Sequence, residues 1–110
     1  MTERSVFHQD AGKLAGIRGA MTLDTVTGLY EEAAACFGGS AEDQVLDLDG
    51  VTRVDSSGLA LLLEWQAQKK RIGGSLLIRN APNDLMRLAK LCDAQDLLNI
   101  NGRAKDTGDV

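Results

Sequence analysis

The densest polar chemistry in this chain lies in five consecutive residues, Asp55, Ser56, Ser57, Gly58 and Leu59, which follow an apolar run and open a long helical pattern. A carboxylate and two hydroxyls at this spacing are the groups that accept hydrogen bonds from the free N–H groups of a helix start. Gly58 lets the backbone come close to a neighbour. The residues read equally as a well-capped helix start or as a docking edge, since ligands and partners bind beyond the carboxyl ends of strands in open α/β sheets. Catalysis by either serine would need an adjacent general base. The single histidine, His8, makes no Ser/His/Asp spacing and reads as a surface residue at a strand edge. No glycine-rich phosphate loop is present, and Gly38-Gly39 and Gly73-Gly74 read as helix stops. Cys36 and Cys92 fall in helical patterns beside apolar residues and are expected to be buried and reduced; with His8 they form no metal-ligand set. No catalytic residue, metal or cofactor is expected.

The elements that must position this loop follow from periodicity. Ser5 to Gln9 reads as a short strand, Asp10-Ala11-Gly12 as a hairpin turn, and Lys13 to Gly19 as a second strand. Thr22 or Asp24 caps a helix in which Val26, Leu29, Tyr30, Ala33 and Phe37 repeat at helical spacing. Gln44 to Val51 is a buried central strand that Asp49-Gly50 ends. A second helix spans Ser57 to Arg71, a short strand Ser75 to Arg79, and a third helix runs from Pro82 to about Cys92. Leu97 to Ile100 is a last short strand. The fold class is α/β, a mixed sheet of four to five strands with about three helices mainly on one face. Residues 1–100 form one domain, and the Gly-, Asp- and Lys-rich residues 101–110 a disordered tail.

Composition narrows the function classes. The 110 residues fit a single domain, which at this size buries roughly two-thirds of its unfolded surface without metal or disulfide. Sixteen acidic against twelve basic residues give a net charge of -4, which argues against a nucleic-acid partner. The first ten residues have no secretory pattern, and the longest strictly apolar run, Leu59 to Leu63, is far short of the ~20 residues that span a bilayer. A cytoplasmic protein is expected, reaching a membrane only indirectly through a partner.

On a helical wheel, Leu59, Leu62, Leu63 and Ala67 make the expected core stripe of the second helix. Leu61 and Trp65 form an i, i+4 pair on another side, flanked by Glu64 and Gln68. That pair is either a docking anchor, since Trp is enriched at binding hot spots, or a widening of the core. Lys69, Lys70 and Arg71 read as solvated charges favoured by the helix dipole. In the third helix, Leu85, Leu88, Ala89 and Cys92 form the core stripe.

The run LDLDGVTRVDSSGLALLLEWQAQKKRIGGSLLIRNAP resembles the STAS family, named for sulfate transporters and anti-sigma factor antagonists. The resemblance rests on a hydrophobic strand, the D-S-S-G-L core opening a helix, and Gly-Gly before the next strand, and it extends over roughly residues 5–100. It implies partner binding through the helix start, by Asp55, Ser56, Ser57, Gly58 and Leu59, with Leu61 and Trp65 beside them. In anti-sigma factor antagonists the first Ser after the Asp is phosphorylated by an anti-sigma factor kinase, which places that modification at Ser56. The Ala-Leu-Leu-Leu after Gly58-Leu59 and the Leu-Ala-Lys-Leu of the third helix are similar to the MlaB-type branch, the small STAS subunit of the Mla phospholipid transporter. Ser57 departs from that branch, where Gly is more frequent. This resemblance implies a non-catalytic accessory subunit that binds an ABC transporter ATPase subunit; the other branch implies an anti-sigma factor antagonist.

Overall fold

The computed structural model describes residues 5–9, 14–37 and 41–101. The expected turn at residues 10–12, the Gly38-Gly39 stop and the tail from residue 102 onward lie outside these. The elements run β1 (Val6–Gln9), β2 (Leu14–Met21), α1 (Val26–Phe37), β3 (Gln44–Val54), α2 (Ser56–Arg71), β4 (Leu76–Arg79), α3 (Asn83–Leu91), α4 (Gln95–Leu98) and β5 (Ile100–Asn101). The five strands lie in the order β1-β2-β3-β4-β5. β1 is antiparallel to β2, and every other pair is parallel. The expected mixed α/β sheet is thus present, with five strands and four helices.

Register explains which side the helices cover. Ala15, Leu46 and Ile78 stand side by side across three strands, all are buried, and all join one core with residues of every helix. The next row, Gly16, Asp47 and Arg79, alternates to the opposite, helix-free face, as does the row Leu14, Val45 and Leu77.

β3 runs three residues past its expected end at Val51, and Asp49-Gly50 is a strand interior, not a turn. The β2–β3 register slips twice, between Gly16 and Arg18 and between Gly19 and Ala20, each time with an extra residue on β3. These bulges reset the alternation, so the buried residues of β3 fall at Gln44, Leu46, Leu48, Val51 and Val54. Gly50 sits at the first bulge because the Arg18 side chain crosses it. A Cβ there would lie 2.6 Å from Arg18 Cγ. The expected strand at Leu97 is also corrected, since Gln95–Leu98 form one helical turn and β5 begins only at Ile100. Asn101, expected to open the tail, pairs with Arg79.

α2 lies at the centre of the helical layer and packs on α1, α3 and α4. Its buried arc is therefore wide: Gly58, Leu59, Leu61, Leu62, Trp65 and Lys69. The middle of that arc, Gly58-Leu62-Trp65-Lys69, follows helical spacing but reads poorly as an apolar stripe because its ends are Gly and Lys. Leu61 and Trp65 are consequently not an outward pair. Trp65 is 0% exposed and packs on Phe37 (ring centroids 5.0 Å) and Phe7 (6.4 Å), and Leu61 is 7% exposed. Lys69 is fully buried and not a solvated charge. Burial holds its ammonium below the usual lysine range, an effect opposed by charge on Cys36, Glu42 and Asp43. Cys36 is buried as expected, but Cys92 is exposed, since α3 ends at Leu91 and Cys92 caps it at the surface.

On the helix-free face, Asp47 accepts from the Asp49 N–H (3.0 Å), Asn80 Nδ2 (3.0 Å) and Arg79 Nη2 (3.4 Å). Burial alone would raise its pKa, but these donors outweigh burial and hold the carboxyl below its ordinary range. The native state therefore binds this proton more weakly than the unfolded chain does. The resulting stability is complete above the unfolded value of ~3.9 and is lost as pH falls through the lowered native one. Asp47→Asn is expected to flatten the acid limb of a plot of urea midpoint against pH below about 4. An acid limb as steep as that of the parent would show that Asp47 is not its source.

Candidate functional site

The loop joining β3 to α2 is organised by Asp55. Its backbone is extended (φ -110°, ψ -171°), as an N-cap requires, and Oδ1 accepts from the N–H groups of Ser57 (2.8 Å) and Gly58 (3.2 Å). The second oxygen, Oδ2, accepts from the Leu23 N–H at 3.1 Å in the loop between β2 and α1. The Asp55 N–H in turn donates to the Met21 carbonyl at 3.2 Å. One residue thus caps α2 and ties it to the carboxyl end of β2.

Gly58 completes the junction by close approach. A Cβ there would lie 2.3 Å from the Met21 carbonyl oxygen and 2.9 Å from both Met21 Cβ and Val54 Cγ1. The neighbouring loop is closed by Thr25, whose Oγ1 accepts from the Thr22 N–H (3.0 Å) and donates to the Ala20 carbonyl (2.8 Å). Thr25, not the expected Thr22 or Asp24, is the residue that immediately precedes α1, and its hydroxyl is engaged by the loop.

The structure therefore divides the expected site residues. Asp55 and Ser57 are half-buried, and Ser56 is exposed at the first helical position. Gly58 and Leu59 lie beneath them in the interior, with Trp65 deeper in the core and Leu61 buried at 7% exposure. Beside Ser56 the structure adds a residue the sequence reading missed. Leu23 is 74% exposed although its N–H is fixed to Asp55. The available signal was a leucine between Thr22 and Asp24 that matches neither strand nor helix periodicity. A rigidly held, exposed leucine beside two hydroxyls at a helix N-terminus suits contact with a protein surface. Any anion brought there also meets the positive end of the α2 dipole.

From Ser57 a groove of about 480 Å³ runs between α1 and α2, lined by Val26, Thr27, Tyr30, Ala60, Leu61 and Glu64. A second hollow of about 520 Å³ lies on the other flank of α2, between Leu63, Ala67, Lys70 and Leu97. Among the described residues no cluster of His, Cys, Asp and Glu could hold a metal ion, and no helix is long and apolar enough to cross a membrane.

Comparison with known proteins agrees with this geometry. The family described as "Mlab, STAS domain" matches residues 7–99. Among solved structures, the anti-sigma factor antagonist SpoIIAA in its unphosphorylated form superposes with a TM-score of 0.61 at 16% identity, covering 80% of this chain and 83% of that one. The protein TM1081 gives 0.64 at 14% identity, over 91% and 85% of the two chains. SLC26A9 gives 0.64 at 14% identity over 84% of this chain but only 18% of its own. At these identities the three likenesses establish a shared fold. No curated protein matches the chain in sequence.

Two substitutions test the junction. Asp55→Ala removes the cap and the Leu23 tether and is expected to cost about 1–2 kcal/mol in urea unfolding, with Asp55→Asn intermediate because one acceptor oxygen remains. Gly58→Ala is expected to cost about 1–3 kcal/mol or more through the clash with Met21. Parent-like stability in both would show that the loop is not held in this way.

Proposed function

The chain belongs to the STAS domain family, and on that premise we propose that it is a non-catalytic accessory subunit that binds and supports the ATPase of an Mla-type ABC phospholipid transporter. The observation that carries this reading is the rigid presentation of Ser56 and Leu23 at the junction that Asp55 holds. The Mlab description of the matching family and the Leu-rich second helix of the resemblance support the choice of partner. In this role the protein acts by mass action: binding the assembled ATPase favours that state by its differential affinity, and no bond is made or broken. Its place at the membrane is then the partner's, and the phospholipid need never touch this subunit.

A second reading is an anti-sigma factor antagonist, favoured by the exposure of Ser56 and the likeness to SpoIIAA, whose structure is named as the unphosphorylated form. A phosphate on Ser56 adds about -1.5 to -2 charges, which the helix N-terminus tolerates and a packed interface does not.

The test is purification of the tagged protein from gently solubilised native cells. An ABC ATPase and its permease are expected to accompany the parent. Ser56→Glu and Leu23→Asp, both at exposed positions, are expected to lower their recovery at least about tenfold, equivalent to about 1.4 kcal/mol of binding. Recovery of a soluble serine kinase that phosphorylates Ser56, with no membrane protein, would replace the transporter reading by the second one. ATPase capture unchanged by both variants would refute the surface.

A further inference from the structure

β1 is an outer strand of the sheet and pairs with β2 alone. An outer strand offers a row of N–H and C=O groups to any other extended chain, and proteins blunt such edges with Pro, Lys, inward charges, bulges or very short strands. β5, at the other edge, is two residues long among the described ones. β1 has none of the remaining devices. Its sequence, Val6-Phe7-His8-Gln9, contains no Pro, Lys, Arg, Asp or Glu, and its register with β2 runs from end to end without a slip. Phe7 also fixes it in place, with its ring centroid 5.6 Å from Phe37 and 6.4 Å from Trp65.

The Phe7 N–H instead has a partner from outside the sheet. It donates to Glu32 Oε1 of α1 at 3.1 Å, across 25 positions of sequence. In an antiparallel strand the N–H and C=O of one residue point to the same side, and the side alternates along the chain. The groups of Phe7 therefore face away from β2, while those of Val6 and His8 turn toward Arg18 and Gly16. Glu32 Oε1 thus stands where the carbonyl oxygen of a further strand would stand. Glu32 is itself exposed and has no part in the core.

We infer that the β1 edge is a latent interface for a second copy of this chain, and that Glu32 holds it closed. The edge selects a second copy because it is complementary to itself. Two β1 strands running antiparallel about a two-fold axis at Phe7 exchange the outward N–H and C=O groups of Phe7 with those of Phe7 in the other copy. The same axis sets Val6, 43% exposed, across from His8 of that copy, so an apolar side chain left in solvent gains a cross-strand neighbour. Such pairing is isologous, closes at two copies and joins the two sheets into one. The incoming strand needs the space about 4.8 Å from β1, where the Glu32 carboxylate now lies. The inference is independent of the docking role, since Asp55, Ser56 and Leu23 lie on neither β1 nor α1.

The experiment is analytical ultracentrifugation of the full chain as parent, Glu32→Gln and Glu32→Ala, with the fold of each verified by its amide spectrum. Glu32→Gln keeps an acceptor oxygen of the same reach, and Glu32→Ala removes it. The parent and Glu32→Gln are expected to remain monomers, and Glu32→Ala to dimerise with an association constant at least about tenfold higher. A mixture of labelled and unlabelled Glu32→Ala is expected to show contacts between Val6 of one copy and His8 of the other. Hydrogen exchange reads the bond itself. At a dilution where every sample is monomeric, the Phe7 amide of Glu32→Ala should exchange at least about tenfold faster than that of the parent. A folded Glu32→Ala that stays monomeric would overturn the inference, as would equal exchange at Phe7. So would a parent already paired through β1, equal dimerisation of the Gln and Ala variants, or a dimer whose contacts lie elsewhere.

Discussion

The two oxygens of the Asp55 carboxylate, each committed to a different segment, are the constraint on which the rest of this molecule depends. One satisfies the free N–H groups that start α2, and the other fixes Leu23 in the loop that leads into α1. Because the backbone of Asp55 also bonds Met21, the carboxyl ends of β2 and β3 and the starts of two helices become one rigid unit. Gly58 is the steric counterpart, since only a residue without Cβ lets α2 enter this close to Met21. Above this unit the side chains of Ser56 and Leu23 stand exposed, while the Leu23 backbone is bonded into it. Their side chains are available to a partner, and their backbones are fixed in advance, which lowers the entropy cost of binding.

How far the fold was legible depended on whether each element obeyed one period. β4, α1 and the capped start of α2 did, and their residues appear where spacing placed them. β3 did not, because two bulges change its alternation from steps of two to steps of three, and Asp49-Gly50 inside it has the composition of a turn. α2 misled in the opposite way. Its apolar residues nearly encircle the helix, so the stripe can be drawn in more than one phase, and the true centre contains Gly58 and Lys69. Trp65 was therefore assigned a surface role that its packing on Phe7 and Phe37 excludes. The short α4 lay below any periodic signal, as four residues make barely one turn.

The candidate site was legible as chemistry and incomplete as geometry. Asp, Ser, Ser and Gly in that order announce a helix start, and the structure gives Asp55 and Gly58 their structural tasks. What sequence did not reveal is the long-range partner of Asp55, since the bond to Leu23 crosses 32 positions. Leu23 and Tyr30 become recognisable as exposed neighbours of α2 only when the fold sets them beside it. In the proposed docking surface, a polar helix start bordered by an exposed leucine takes the place of an aromatic anchor on α2.

A photo-crosslinking amino acid at position 23, compared with one at position 91 in the native cells, tests the central claim most directly. Leu23 and Leu91 are both highly exposed, at 74% and 83%, but only Leu23 borders the Asp55 junction. The account predicts a covalent adduct with an ABC transporter ATPase from position 23 and none from position 91. An ATPase adduct from position 91 alone, or an adduct from position 23 with a soluble serine kinase, would contradict it.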